Sequence, residues 1–181
     1  LLAEDDRLMP HLHLSLQAGD DIILKRMKRR HRRADMEKLC QTVRRARPDV
    51  VFGADLIAGF PTETEAMFKN TLSAIGDLEL TYLHVFPFSP RPGTPAQRMP
   101  PVPGDVRKRR AAKLRAAGEA ALNHFLTARI GETAEVLVEK ERFGHSRHFA
   151  PVRLGFDAAP GSIVDVRVES AAAGHLFGGK P

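Results

Sequence analysis

The stretch Asp55-Leu-Ile-Ala-Gly-Phe-Pro-Thr-Glu63 decides how the fold of this chain is interpreted. Residues 49–52 before it are typical of the start of a buried β-strand, and residues 64–78 after it have the apolar spacing of a helix. The chain therefore turns at Gly59-Phe60-Pro61, between a strand and a helix. Ligands bind at the carboxyl ends of strands in parallel α/β folds, which makes this turn a candidate binding loop.

Gly59 is the residue of this turn that most favours a ligand. Because it has no Cβ, a ligand can approach its backbone closely. Thr62 or Thr64 can cap the helix that follows, with Glu63 near the positive end of that helix. An ordinary loop between a strand and a helix has the same composition, so the pattern alone leaves both interpretations open.

The composition limits the number of domains and the classes of protein to which this chain can belong. The 181 residues are 43% hydrophobic and 28% charged, which indicates one large globular domain or a medium and a small one. A net charge of +6 fits a polyanionic partner or a merely basic surface. The single cysteine, Cys40, excludes a disulfide and a cysteine-built metal site within the chain. No apolar run approaches the ~20 residues of a membrane span, so we expect a cytoplasmic protein without membrane contact.

The first predicted strand is His11-Leu-His-Leu-Ser-Leu-Gln17, which alternates strictly between polar and apolar residues. Gln17 at its carboxyl end is a candidate ligand contact. His11 and His13 share the polar face of this strand. No third ligand type clusters with them in the sequence, so no metal site is predicted.

The stretch from Lys25 to Arg33 has seven Lys or Arg in nine positions. It is either the solvated end of a helix that begins after Asp20 or Asp21, or a phosphate-binding patch. No aromatic residue is interleaved, so base stacking is not indicated. Asp35 is predicted to cap a second helix, in which Cys40 lies on the apolar stripe as a packed thiol.

A third strand is predicted at 81–86, followed by a loop from Pro87 to Pro95 that contains four prolines. Such a loop is stiff and can form the wall of a substrate site, although a rigid spacer has the same composition. Arg91 in the middle of the loop favours the substrate wall. A basic helix follows over 105–126, and the alternation of strands and helices predicts a parallel α/β architecture.

A different pattern begins after Gly131. Short alternating strands are predicted at 132–139, 152–156 and 162–169, with turns at 143–145 and 159–161 and a loose tail over 171–181. This pattern predicts a small antiparallel β module, either a five-strand barrel or a close relative.

The first hairpin of that module is rich in basic and aromatic residues, namely Arg142, Phe143, His145, Arg147, His148, Phe149 and Arg153. Such a set suits RNA, through phosphate contact and base stacking. A solvated hairpin tip remains the alternative.

Three stretches together resemble the radical S-adenosylmethionine methylthiotransferases that modify adenosine 37 of tRNA. They are His13-Leu-Ser-Leu-Gln-Ala-Gly-Asp20 with Ile23-Leu-Lys-Arg-Met-Lys28, then Asp55 to Thr64, then Phe88-Ser-Pro-Arg-Pro-Gly-Thr-Pro-Ala96. The first stretch is more similar to the threonylcarbamoyladenosine branch than to the isopentenyladenosine branch. The β module resembles the RNA-binding TRAM domain of the family.

The resemblance implies a fold and a reaction. Residues 1–128 would be the C-terminal part of a parallel (β/α) radical S-adenosylmethionine partial barrel, and residues 129–181 a TRAM-like domain. A reduced [4Fe-4S] cluster cleaves S-adenosylmethionine to a 5′-deoxyadenosyl radical. That radical abstracts hydrogen from C2 of the adenine, and sulfur and a methyl group are then installed. The implied partner is tRNA, at its anticodon loop, and we expect a monomer.

The resemblance also implies site residues. Gln17 matches the position that contacts the ribose of the cofactor, while Ile57, Gly59 and Glu63 match the backbone and turn near its adenine and methionine ends. Glu63 is one place off the general spacing of radical enzymes. The residues expected to contact tRNA are Arg29, Arg30, Arg32, Arg33, Arg91, Arg142 and Arg147, and no catalytic residue or metal ligand is assigned.

The chain departs from the family pattern in its cysteines. The family binds its catalytic cluster with Cys-x3-Cys-x2-Cys and a second cluster with three further cysteines, whereas this chain has Cys40 alone and lacks the glycine-rich stretch that binds the methionine amino group. We therefore expect the C-terminal half of such an enzyme, inactive by itself. The alternatives are a non-catalytic RNA-binding protein and, with less support because no P-loop or dinucleotide fingerprint is present, another α/β barrel enzyme with a phosphate ligand.

Overall fold

A computed structural model describes residue 2 and residues 4–181 of the chain. They divide into two compact units. The sheet unit consists of Leu12–Pro48 and Phe52–Gly118, and the barrel unit consists of the described residues up to His11 together with Asp49–Val51 and Glu119–Pro181. No helix in the described part of the chain is long and apolar enough to cross a membrane.

The sheet unit is built on a three-stranded sheet in the order β1-β2-β3. The strands are β1 His11–Gln17, β2 Val51–Ala58 and β3 Leu80–Pro87, and the helices are α1 Asp21–Arg26, α2 Arg33–Ala46, α3 Glu65–Asp77 and the first part of α4 Gly104–Thr127, with a 3₁₀ turn at Pro95–Arg98. His11, Val51 and the part of α4 from Glu119 onward are counted in the barrel unit. β2 and β3 are parallel, with Asp55 opposite His84. The predicted α/β fold with a parallel sheet is confirmed.

The two faces of this sheet differ in character. Leu16 of β1 and Phe52 and Leu56 of β2 are fully buried on one face. Because side chains alternate along a strand, the intervening residues lie on the opposite face, which carries His13 and His84 in exposed positions. The polar face predicted for the first strand therefore includes His84 of β3, and Asp55 of β2 shares it because Asp55 lies opposite His84.

The helix starts follow the capping rules, with one correction. The carboxylate of Asp20 accepts the backbone N–H groups of Ile22 and Ile23 and so caps α1. The prediction that Asp35 caps the second helix was wrong, because α2 begins at Arg33 with Arg32 as its N-cap. Asp35 is the third residue of α2, and its carboxylate accepts the backbone N–H of Arg32 at 2.8 Å.

The barrel unit contains a closed five-stranded barrel in the order β4-β5-β6-β8-β7, which confirms the predicted β-barrel. Its strands are β4 Thr133–Lys140, β5 Phe143–Ser146, β6 Pro151–Leu154, β7 Ile163–Ala172 and β8 His175–Gly179. The interior is aliphatic, with Val136, Val152, Val166 and Leu176 all at most 1% exposed. Leu126 of α4 joins the same cluster.

Two predictions about this module were wrong. The predicted turn at 143–145 is strand β5, and β7 and β8 occupy most of the predicted tail. Both errors arise at glycines, which are common in turns and tails. A Cβ at Gly144 would lie 2.0 Å from the carbonyl oxygen of Leu137, and one at Gly178 would lie 2.1 Å from that of Arg167. These glycines allow strands to pack closely rather than to turn.

Candidate functional site

A cavity of about 520 Å³ opens in the sheet unit at the carboxyl ends of its strands. Every strand of the sheet and the proline-rich loop contribute to its lining, which consists of Gln17, Asp55, Ile57, Phe86, Pro87, Phe88, Ser89, Arg91, Thr94 and Ala96. Its volume lies within the range of small-molecule and cofactor sites, and its mixture of aromatic and polar groups is typical of them.

Gln17 lies in this cavity with an unusual backbone. It is 8% exposed and has a φ of 69°, in the left-handed region that costs a non-glycine residue about 1–2 kcal/mol. The turn at Gly19 that follows is held against α3. The backbone N–H of Gly19 donates to the hydroxyl of Thr71, and a Cβ at Gly19 would lie only 2.6 Å from the carbonyl oxygen of Asn70. Strain of this kind clusters at ligand sites.

The turn after β2 is held by a buried ion pair. The side chain of Glu63 is fully buried and that of Arg110 is 8% exposed, and their charged groups lie 2.9 Å apart. Glu63 Oε2 also accepts the backbone N–H of Gly59 at 2.9 Å, and Arg110 donates to the backbone carbonyl of Glu63. Burial raises the pKa of Glu63, although the bonds from Gly59 and Arg110 oppose that shift.

The space beside Gly59 contains a side chain of the protein. Gly59 has a φ of 73°, and a Cβ there would lie 2.3 Å from Cγ of Arg107. The side chain of Arg107 reaches the proline-rich loop, where its guanidinium donates a hydrogen bond to the carbonyl of Phe88 at 2.6 Å. Gly59 therefore gives room to the arginine that ties this turn to the wall of the cavity.

The structure separates the four residues predicted to bind the cofactor into two pairs. Gln17 and Ile57 line the cavity. Gly59 and Glu63 lie in the adjoining turn, bonded to each other and packed against arginines of α4.

The arginines predicted to contact tRNA are also of two kinds. Arg29, Arg30 and Arg32 are exposed around the loop between α1 and α2, and Arg91 lines the cavity. Arg33 instead has a structural role. It pairs with Glu37 and with Asp77, and it donates to the carbonyl of Asn70 at 2.8 Å, which ties α2 to α3.

In the barrel unit, the hairpin residues form an aromatic surface. Phe149 is 52% exposed with a φ of 64°, and its ring stacks against His145 at 4.7 Å and against His11 at 5.2 Å. Arg142 pairs with Asp157, and Arg147 donates to the backbone carbonyl of Asp6. Both arginines therefore have protein partners, and Phe149 stacks with two imidazoles at the surface.

The grouping of His13, Asp55 and His84 was not predicted, because no third ligand type lies near His11 and His13 in the sequence. His84 of β3 comes within 3.3 Å of the Asp55 carboxylate, which His13 of β1 also contacts at 2.9 Å. Each of the three lies three or four residues before the end of its strand, so counting back from the strand ends would have found them. Arg107 and Arg110 were seen only as part of a basic helix, because their contacts depend on tertiary packing.

The residues present do not fit an iron–sulfur cluster. The chain has one cysteine, and Cys40 is 1% exposed within α2, where burial raises the pKa of its thiol. Cysteine-bound clusters need several thiolates. These residues therefore supply too few ligands for such a cluster.

Comparison with known proteins agrees with the sequence analysis. The Radical SAM superfamily profile matches residues 2–75. The chain is 51% identical to the threonylcarbamoyladenosine tRNA methylthiotransferase MtaB of Rickettsia prowazekii (strain Madrid E) over 176 residues, which cover 97% of this chain and 42% of that protein.

Two further relatives are tRNA-2-methylthio-N(6)-dimethylallyladenosine synthases. The protein of Erythrobacter litoralis (strain HTCC2594) is 38% identical, with 97% of this chain and 41% of that protein covered. The protein of Bartonella tribocorum (strain CIP 105476 / IBS 506) is 35% identical, with 96% of this chain and 39% of that protein covered. The chain thus spans about two fifths of the length of the curated relatives it matches. The predicted resemblance to the radical S-adenosylmethionine tRNA methylthiotransferases is confirmed, since the chain is similar over 96–97% of its length to these three relatives and its residues 2–75 match the superfamily profile.

Proposed function

We propose that this chain is part of an enzyme that methylthiolates C2 of N6-threonylcarbamoyladenosine at position 37 of tRNA, in the anticodon loop. The observation that carries the proposal is the 51% identity to a relative named for threonylcarbamoyladenosine, against 38% and 35% to two relatives named for dimethylallyladenosine. All three alignments cover 96% or more of this chain, so the difference does not arise from one short motif.

The cavity fits S-adenosylmethionine, the cofactor of this family. The apolar side chains of Ile57 and Phe86 offer contact surface for an adenine ring, and Gln17 offers an amide for hydroxyl groups. In the proposed site Gln17 and Ile57 contact the cofactor. Gly59 and Glu63 fix the turn that carries the site, through their mutual hydrogen bond and Arg110. When bound with a reduced cluster, the cofactor supplies the radical for hydrogen abstraction.

The same proposal assigns no catalysis to these 181 residues alone. Their one cysteine is buried in α2, so the cluster that reduces the cofactor has to be bound by residues other than these. What this chain provides is one side of a cofactor cavity and a set of basic and aromatic surfaces for RNA.

We further propose that the barrel unit is a TRAM-like RNA-binding domain. Phe149 is 52% exposed in a stack of aromatic rings, and the cationic groups of Lys140 and Arg153 lie 5.0 and 5.1 Å from the ring centre of Phe143. Arg29 and Arg30 in the sheet unit are exposed and suit phosphate contact. The same observations favour a second candidate function, a non-catalytic RNA-binding protein.

A chimeric enzyme tests the enzymatic proposal. This chain replaces the matching 42% of the Rickettsia prowazekii relative, and the chimera is expressed in a bacterium deleted for its own methylthiotransferases. We expect mass spectrometry of tRNA hydrolysates to show the 2-methylthio derivative of threonylcarbamoyladenosine. The unmodified Rickettsia protein is the positive control, and the iron content and soluble yield of the chimera show that it folds. A folded, iron-loaded chimera that modifies dimethylallyladenosine, or neither nucleoside, contradicts the proposal.

Binding to tRNA tests the RNA contacts separately. We expect the chain to bind tRNA with an affinity that falls steeply with salt, because phosphate contacts release counterions. Replacing both Arg29 and Arg30 with Gln should reduce the salt slope by about 2, and Phe149→Ala should weaken binding with little change in slope. Arg109→Gln, which removes a charge exposed on α4, is the matched control. Binding without chimera activity supports the non-catalytic alternative.

A further inference from the structure

We propose that His13, Asp55 and His84 form a binding site for a divalent first-row transition-metal ion, such as Zn²⁺, Fe²⁺ or Co²⁺. The three residues come from the three strands of the sheet and meet on its polar face. The site is distinct from any iron–sulfur cluster, since it contains no thiolate, and it does not rest on the proposed function.

Each histidine nitrogen is separated from the Asp55 carboxylate by a distance found between two ligands of one ion. His13 Nε2 lies 2.9 Å and His84 Nδ1 lies 3.3 Å from the same oxygen of Asp55, Oδ1, and the candidate ligand atoms of all three residues lie within 4.8 Å of one another. Metal–ligand bonds of about 2.1 Å place neighbouring donors about 3.0 Å apart in an octahedral site and about 3.4 Å apart in a tetrahedral one.

The strand register and a glycine place these three side chains close together. The parallel register of β2 and β3 places Asp55 directly opposite His84. On the other side, the ring of His13 lies over Gly53, where a Cβ would be only 2.5 Å from its Nδ1. Gly53 therefore has a specific reason to lack a side chain, because any larger residue would push the imidazole of His13 from its place.

The ligand set identifies the class of ion. Two imidazoles and one carboxylate suit Zn²⁺, Fe²⁺ and their neighbours, whereas Mg²⁺ and Ca²⁺ prefer oxygen ligands alone. Three protein ligands leave coordination positions open. Asp55 also lines the cavity at the strand ends, so an ion bound there would face a ligand in that cavity.

The alternative is a hydrogen-bonded chain in which the Asp55 carboxylate bridges two imidazoles without any ion. Distances of 2.9 and 3.3 Å are compatible with that chain as well. The centres of the two imidazole rings lie 4.6 Å apart. Without an ion, hydrogen bonds to the shared carboxylate would fix the orientation of both rings. Metal titration separates the two interpretations directly.

The test uses the full 181-residue chain without a histidine tag, stripped of metal with a chelator. It is titrated with Zn²⁺ in a calorimeter and with Co²⁺ in a spectrophotometer. We expect one equivalent to bind, with visible d–d absorption and no thiolate charge-transfer band, because Cys40 is not a ligand. Asp55→Asn and His84→Gln should abolish saturable binding. Gly53→Ala, which removes no ligand, should weaken it roughly 10- to 100-fold by displacing His13.

His124→Gln is the matched control, because it removes an exposed histidine of α4 and should leave metal binding unchanged. Circular dichroism and urea unfolding establish that each variant folds, and the exposed position of His84 makes His84→Gln the variant least dependent on packing. The proposal is overturned if the wild-type chain binds no equivalent saturably, or if Asp55→Asn and His84→Gln bind as tightly as the wild type. Neither readout involves tRNA, so this result is independent of the methylthiolation test.

Discussion

The sheet unit and the barrel unit bury different chemistry. In the sheet unit, a glutamate and an arginine with side chains 0% and 8% exposed hold the turn between β2 and α3. In the barrel unit, the buried cluster consists of aliphatic side chains, and one of its ion pairs, Arg142–Asp157, has side chains 58% and 72% exposed. The sheet unit thus buries an ion pair after a strand end, whereas Arg142–Asp157 of the barrel unit lies at the surface.

The aliphatic core and the buried ion pair therefore have different roles, one in the stability of a unit and the other in the geometry of a site. Aliphatic packing stabilises a fold without dictating a particular loop geometry, whereas a buried ion pair is costly to desolvate and stable only in one arrangement. Glu63 and Arg110 therefore specify the shape of the turn beside the cavity. The barrel unit gains its stability from packing and presents its basic and aromatic side chains at the surface.

The largest expected effect comes from breaking the buried ion pair. Arg110→Leu would leave the carboxylate of Glu63 buried without its cation, and loss of one partner of a buried pair costs about 3–5 kcal/mol. We expect urea unfolding to show a loss of this size.

Two controls sharpen that experiment. Arg109→Leu removes a neighbouring arginine whose pair with Asp105 is exposed, with side chains 66% and 70% accessible, and should cost about 1 kcal/mol or less. The double variant Glu63→Leu/Arg110→Leu should be more stable than Arg110→Leu, because no charge is left buried. Equal losses for Arg110→Leu and Arg109→Leu would contradict a structural role for the buried pair.

A somewhat smaller effect is expected from the apolar interior of the barrel unit. Leu176 of β8 is 1% exposed, so Leu176→Ala should lower the free energy of unfolding by about 2–4 kcal/mol through lost burial and a cavity. Leu137→Ala on β4 removes the same atoms from a side chain that is 47% exposed, and should cost about 1 kcal/mol or less. If Leu176→Ala has no more effect than Leu137→Ala, β8 is not part of the barrel core.

Much of this fold could be predicted from local patterns. The strict alternation of His11 to Gln17 and the strand–helix spacing around Asp55 to Glu63 both correspond to elements that form. Strand β8 could not be predicted, because Gly178 and Gly179 indicate a flexible tail until the close approach of neighbouring backbone is known.

The site was harder to predict for the same reason. Gln17 and Ile57 could be placed at strand ends from periodicity and resemblance, and they do line the cavity. The partners of Glu63 and Gly59 come from α4, more than 40 residues later in the chain. His84 is likewise distant from His13 in sequence, and only the pairing of three strands brings them to one carboxylate.

The smallest expected effects concern pH, where the two units should respond in opposite directions. Burial raises the pKa of Glu63 above its ordinary value of 4.5. Its contribution to stability is therefore fully present below about pH 4.5 and is lost as the pH rises through the higher pKa of the folded state. Burial, assisted by Arg129, lowers the pKa of His148 below its ordinary value of 6.5. Its contribution is present above about pH 6.5 and is lost as the pH falls through the lower pKa of the folded state.

Difference measurements isolate each group from the other titrating residues. The free energy of unfolding of the wild type is measured against Glu63→Gln and against His148→Gln at a series of pH values. Relative to Glu63→Gln, the wild type should lose stability as the pH rises above 4.5, because the folded state then has to ionise a buried carboxyl group. Relative to His148→Gln, it should lose stability as the pH falls below 6.5, because only the unfolded state then accepts the proton readily. If the stability difference from the wild type changes with pH in the same direction for both variants, burial does not set the pKa values of Glu63 and His148. The two units would then not differ in their response to pH.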